Sequence, residues 1–182
     1  GCTTTLAVSA PDCSCPVVSA PVTGGDQVVC NTGQTLTATA TAGSVEVVDW
    51  YSTATGGVVL STSPSLTGVG TVTYYAEARN TTTNCLSATR TEVTLTLNET
   101  PTLLINTAAS CTADLSQYTL IVDVSTGATV TSTSGTVVNS SGDTWDITVV
   151  SGTDITVTST APSGGCTTTL AVSAPDCSCP VV

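Results

Sequence analysis

The sequence contains no histidine, lysine, methionine or phenylalanine, and its only cations are Arg79 and Arg90. Each absence removes a class of chemistry. Without histidine there is no imidazole to act as general base or metal ligand. Without lysine there is no Schiff-base amine and no phosphate-binding P-loop. Lysine-based isopeptide crosslinks, one way of bracing extracellular fibres, are excluded for the same reason. Two arginines against thirteen acidic residues leave a net charge of −11, which repels a phosphate backbone and excludes nucleic acid as a partner. The carboxylates offer no catalytic replacement: Asp114, Asp123, Asp143 and Asp154 are dispersed and no nucleophile–base pair accompanies them. The chain therefore reads as a non-enzyme. No apolar run approaches the roughly 20 residues of a membrane-spanning helix, so no membrane span is expected in this segment. With 40% hydrophobic and only 8% charged residues, a disordered polyelectrolyte is excluded too.

What is present begins with nine cysteines, an awkward odd count for a secreted protein. An internal repeat explains it. Residues 1–18 read GCTTTLAVSAPDCSCPVV, and residues 165–182 read the same at every position. The offset of 164 residues defines a period, and residues 1–18 are best read as the tail of a preceding copy. Setting aside Cys2, Cys13 and Cys15 leaves six cysteines per period: Cys30, Cys85, Cys111, Cys166, Cys177 and Cys179. Six thiols suit three disulfides in an oxidising, extracellular or cell-surface setting. A fainter repeat lies within the period, because Cys30 to Cys85 and Cys111 to Cys166 both span 55 residues. Each first cysteine is soon followed by a β-patterned run (35–41, 118–124) and each second one precedes another (91–97, 167–173).

Threonine and valine dominate, and their branched Cβ atoms favour strands over helices. Apolar and polar residues alternate with period two at 34–40, 71–79, 91–97, 118–124 and 154–158, while turn signals fall at 55–57, 68–70, 125–127 and 140–143. No window carries a helical apolar stripe. Short strands at this spacing predict two antiparallel sandwiches, with valine, leucine and isoleucine supplying the core and disulfides supplementing so small a module. Proline-bearing junctions fall at 13–21 and 98–101 and should act as stiff spacers. The predicted division is residues 1–18 as the preceding copy's tail, 17–100 as the first module and 101–182 as the second.

Four stretches, CNTGQTLTATA (30–40), WYSTATGGVVL (50–60), TYYAEARN (73–80) and CLSATRTEVTLTL (85–97), carry a family signal. Together they resemble the Ig-like repeats of giant secreted surface proteins of Bacteroidetes. The ending GCTTTLAVSAPDCSCP looks like a repeat terminus of the same proteins. The second module keeps the cysteine spacing but lacks the WY…TGG and TYY signatures. The resemblance implies an all-β fold of two tandem Ig-like antiparallel β-sandwich modules per 164-residue repeat. It also implies arrays at the cell surface acting as adhesins, stalks or fibres, whose partners would be neighbouring copies along a fibre, with lateral bundling where edge strands pair.

Two disulfide schemes remain open. By the 55-residue symmetry, Cys30–Cys85 and Cys111–Cys166 lead, leaving Cys177 and Cys179, whose direct bridge would be strained. By strand parity, the first and last loops of a seven-stranded sandwich lie at opposite ends. The bridges would then cross junctions: Cys30 to Cys166, Cys85 to Cys13 or Cys15, and Cys111 to whichever of Cys177 and Cys179 remained. A four-cysteine zinc site is disfavoured by the tight CSC spacing, and no cofactor is expected. Trp50 is expected as the buried tryptophan of a sandwich, with sugar stacking on Trp50 and Tyr51 the rival reading. Trp145, between Asp143 and Asp146, is a candidate for glycan or calcium binding, because oxygen ligands and an exposed aromatic would stand together. Arg79 and Arg90 are expected in surface ion pairs, and of Tyr74 and Tyr75 one should be core and the other exposed.

Overall fold

The computed structural model describes residues 14–62 and 64–178, so Cys2, Cys13 and Cys179 lie outside the described residues. Among these residues every regular element is a strand. The packing forms two compact units. Of the described residues, the first comprises those up to Gln27 with Leu36–Leu66 and Val72–Leu95; the second comprises Val28–Thr35, Thr67–Thr71 and those from Thr96 onward.

The N-terminal sandwich contains β1 (Val22–Thr23), β2 (Gln27–Cys30), β3 (Leu36–Thr37), β4 (Ala40–Thr41), β5 (Glu46–Tyr51), β6 (Ser65–Leu66), β7 (Gly70–Asn80) and β8 (Thr91–Asn98). One sheet has the order β2-β8-β7-β5, and two short ribbons, β1-β4 and β3-β6, accompany it. Alternation in β8 sends Val93, Leu95 and Leu97 inward to complete burial, while the threonines between them stay half-buried. The run at 34–40, expected as one strand, is cut in two. Its alternation persists, with Leu36 and Ala38 buried, but the chain changes partner midway. Leu36 and Thr37 pair with β6, Ala38 N–H donates to Pro64 O, and Ala40 and Thr41 pair with β1.

The C-terminal sandwich contains β9 (Leu103–Cys111), β10 (Gln117–Val124), β11 (Thr129–Ser132), β12 (Thr136–Ser141), β13 (Thr144–Val150), β14 (Ile155–Thr160) and β15 (Thr167–Val172). A sheet ordered β12-β13-β10-β9 and a sheet ordered β11-β14-β15 share one core. Tyr118, Leu120 and Val122 of β10, Ile147 and Val149 of β13, and Ile155 and Val157 of β14 fill it. The Tyr118 ring is fully buried and its hydroxyl donates to Thr153 O at 2.7 Å, so burial costs no unmade hydrogen bond.

Strand direction decides where each cysteine lies. Thr71 and Thr73 of β7 hydrogen-bond Thr96 and Thr94 of β8, so these two strands are antiparallel. Asp26 accepts from Thr94 N–H and Asn31 N–H donates to Asn98 O, so β2 runs in the same direction as β8. Cys30, ending β2, therefore lies at the end where β7 begins, and Cys85 lies just past the other end of that 11-residue strand. At about 3.3 Å per residue the separation is on the order of 30 Å. The second sandwich repeats the arrangement, since Thr168 at the start of β15 bonds Pro101 O just before β9, whereas Cys111 ends β9.

Candidate functional site

The strongest chemical feature is the disulfide set: Cys15–Cys85, Cys30–Cys166 and Cys111–Cys177, with Cα atoms 5.6, 5.7 and 5.7 Å apart. The symmetric pairs Cys30–Cys85 and Cys111–Cys166 do not form, because each would span the length of a strand and a bridge cannot reach across more than about 7 Å between Cα atoms. The junction-crossing scheme is the one present.

Local hydrogen bonds fix the backbone at or near several of these cysteines. After β7, Asn80 Oδ1 accepts from Thr82 and Thr83 N–H, Asn84 takes a positive φ of 58°, and Asn80 N–H donates to Cys85 O. Asparagine tolerates that backbone because its short polar side chain bonds locally. Cys85 is thereby buried against Val18 and Ala78, while its partner Cys15 is exposed. Cys30 is followed by a loop in which Gln34 Nε2 donates to the Cys30 carbonyl. Cys166 is 1% exposed and closes a turn in which Ala161 N–H donates to Cys166 O. Cys177 packs on the C-terminal core beside Cys111, after Ala174 N–H has been fixed by the Asp154 carboxylate at 2.8 Å.

A second cluster lies in the first unit, on one face of β5 and β7. Arg90 Nε meets Glu77 Oε1 at 3.3 Å with both side chains only 10% exposed. The same guanidinium donates to the carbonyls of Thr53 and Gly56 and lies 3.3 Å over the Tyr51 ring. Burial, reinforced by the Glu77 carboxylate, raises the pKa of the Tyr51 hydroxyl. Beside it, Arg79 holds Asp49 through Nε at 2.6 Å and Nη2 at 3.2 Å, half-exposed, and this carboxylate raises the Arg79 pKa. Only Arg79 matches the expected surface pair; Arg90 is sequestered. Tyr51 cannot stack a sugar, since a guanidinium covers its ring. Trp50, expected in full burial, lies opposite the buried Ala76 and is itself half-buried. Tyr74 and Tyr75 are both half-buried rather than one in and one out, and the Tyr74 hydroxyl donates to Ser65 O. Sequence offered one hint of the cluster: two lone cations in a chain of carboxylates.

The structure does not assemble Trp145, Asp143 and Asp146 into one site. Trp145 packs against the C-terminal core and its Nε1 is buried without a partner. Asp146, the next residue of β13, points to the opposite face and accepts from Ser140 Oγ. Asp143, in the preceding turn, accepts from Thr126 Oγ1 at 2.7 Å. The other dispersed carboxylates are likewise spent on local hydrogen bonds. Asn106 and Thr144 hold Asp123, and Thr112 and Ser116 hold Asp114, in each case lowering the carboxyl pKa. No group of three or more potential metal ligands occurs among the described residues.

Among curated proteins, none matches the sequence. Solved structures with a similar chain course include the N-terminal eight Ig domains of Down Syndrome Cell Adhesion Molecule isoform 1.30.30, at 13% identity and a TM-score of 0.48. That similarity covers 85% of this chain but only 24% of the other, so the chain spans about a quarter of its length. A chimeric titin Z1Z2-Z1Z2 tandem carrying a GRGDS peptide from fibronectin matches at 13% identity and a TM-score of 0.28, covering 84% of this chain and 97% of that one. Residues 16–98, a little under half of the chain, match the family model of the Ig-like domain, CHU_C associated.

Proposed function

We propose that the chain is a structural repeat of an extracellular filament or giant surface protein, in which sandwich modules join end to end and disulfides brace the joints. One observation carries this reading. Cys15 lies in the 18-residue stretch that recurs at 165–182, and it is bonded to Cys85 of the Ig-like domain that follows it. A duplicated segment thus serves as a covalent tether between one period and the next. The other bridges support the reading: Cys30–Cys166 ties a cysteine of the Ig-like domain to one of the C-terminal sandwich, and Cys111–Cys177 ties the end of β9 to the stretch after β15. Three disulfides are consistent with an oxidising, extracellular location. The low charge and the engaged carboxylates suit a material better than a catalyst. Electron microscopy of the chain polymerised as several head-to-tail periods tests it. A beaded rod repeating every two modules is expected; isolated globular particles would refute the reading.

A further inference from the structure

Residues 1–18 and 165–182 are identical, so each cysteine of one stretch has a counterpart in the other 164 residues away: Cys2 and Cys166, Cys13 and Cys177, Cys15 and Cys179. The structure gives the bonding of one member of each pair. Cys166 bonds Cys30, Cys177 bonds Cys111, and Cys15 bonds Cys85. Two of these partners precede the stretch by 136 and 66 residues, and the third follows it by 70. Cys177, the first cysteine of one CSC tripeptide, thus reaches back to β9 of the sandwich just completed, and Cys15, the second cysteine of the other, reaches forward to Cys85 in the module that follows.

We propose that Cys179, which lies outside the described residues, forms a disulfide with the residue equivalent to Cys85 in a following copy of the 164-residue period. Every cysteine of a period then has one partner, and none is left over at any internal copy. The tripeptide becomes a two-way staple, with Ser178 alone between a backward and a forward bridge. Such spacing works against a mutual Cys177–Cys179 bridge, because adjacent cysteines separated by one residue cannot reach bridge geometry without strain. It also holds both joined modules at one short point of the chain. The bond forms by exchange with a small-molecule disulfide such as oxidised glutathione. One thiolate attacks it and releases a thiol, and the second thiolate then displaces the remaining half, so two protein thiols are oxidised as one disulfide is reduced to two thiols.

The inference rests on the filament reading only in that a further copy follows, and the arginine content makes it simple to test. Trypsin can cut only after Arg79 and Arg90, which isolates residues 80–90 with Cys85 as the single cysteine. The probe is a chain of two periods, made by appending residues 19–182 to the protein, oxidised with glutathione, alkylated and digested in urea without reductant. From this chain no free 80–90 peptide is expected, because the first copy's is held by Cys15 and the second copy's by the junction Cys179. Cys179→Ser at the junction should release one molar equivalent, whereas Cys177→Ser at the junction should release none. Peptic mapping of the unmutated chain, which needs no folded variant, should show Cys179 linked to the second copy's Cys85. Release from the unmutated chain, retention after Cys179→Ser, or a peptic link from Cys179 to any other cysteine overturns the assignment. Such a failure leaves a beaded array visible by microscopy, whereas failure of the filament reading removes the array itself.

Discussion

Cys30 ends β2 and is bonded to Cys166, 136 residues further along the chain, while Cys85, its symmetric partner by spacing, is bonded instead to Cys15. Closing so long a loop removes much of the freedom of the unfolded chain. The chain-entropy model gives about 5 kcal/mol for a loop of this length, and typical measured bridges give about 2–4. The double variant Cys30→Ser/Cys166→Ser should therefore lose about 2–5 kcal/mol of unfolding free energy in guanidinium titrations without reductant. An unchanged midpoint would show that this bridge contributes nothing to the fold.

Arg90 and Glu77 face a different balance. Both are almost buried, and the guanidinium also satisfies two carbonyls and covers Tyr51. Removing one member of a buried pair strands the other charge, which typically costs about 3–5 kcal/mol. Arg90→Ala should cost that much, and adding Glu77→Ala should recover part of it, giving a clear coupling energy in a double-mutant cycle. Arg79→Ala, which removes a 36% exposed arginine but leaves the 12% exposed Asp49 without its two hydrogen bonds, should cost less, about 1–2 kcal/mol. Equal losses at the two arginines would contradict the burial difference.

Much of this architecture is readable in the sequence, for reasons visible in single strands. Tyr118–Val124 alternates cleanly because β10 lies in a sheet with one face on the core, whereas in β7 the alternation of the sequence is lost, with Ala76, Glu77 and Ala78 all buried. The run at 34–40 could not be divided in advance, since alternation records which face is buried and not which neighbour is paired. Disulfide partners were ambiguous because equal spacing along the chain says nothing about direction, whereas strand parity does. With β2 parallel to β8, the first cysteine of the domain must end far from Cys85. The Arg90 site left almost no local trace. Tyr51, Thr53, Gly56 and Glu77 reach Arg90 only through the fold, so a lone cation among carboxylates looked like surface.

Acid should weaken the C-terminal sandwich through particular carboxylates. Asn106 and Thr144 donate to Asp123 at 2.6 and 2.7 Å and hold its carboxyl below the ordinary 3.8; Thr112 and Ser116 do the same for Asp114, and Ser178 for Asp176. A folded-state pKa below the unfolded value means that the unfolded chain binds protons first. The contribution is fully present above about pH 4 and is lost as pH falls through 3.8 toward the lower folded value. Asp123→Asn should lower the neutral plateau of a stability–pH profile measured by urea denaturation and flatten its acid limb, leaving stability at the acid end little changed. A limb as steep as in the parent would show that Asp123 does not contribute to acid sensitivity.

Gly135, between β11 and β12, has a φ of 88°, and a Cβ added there would collide with the backbone carbonyl of Thr148 on β13 as well as approaching Val149 Cγ2. Thr148 also pairs with Thr136 and Thr119 in the sheet, so its carbonyl cannot move without disturbing both ladders. Gly142, in the β12–β13 turn, has a φ of 55° and open space where its Cβ would be. The left-handed backbone alone costs a non-glycine residue about 1–2 kcal/mol, so Gly142→Ala should lose roughly that. Gly135→Ala should lose clearly more, on the order of 3 kcal/mol once the steric clash is added. Denaturation midpoints of the two variants make the comparison within one hairpin region. If the two lose the same amount, the close approach of β13 to Gly135 is not maintained in solution.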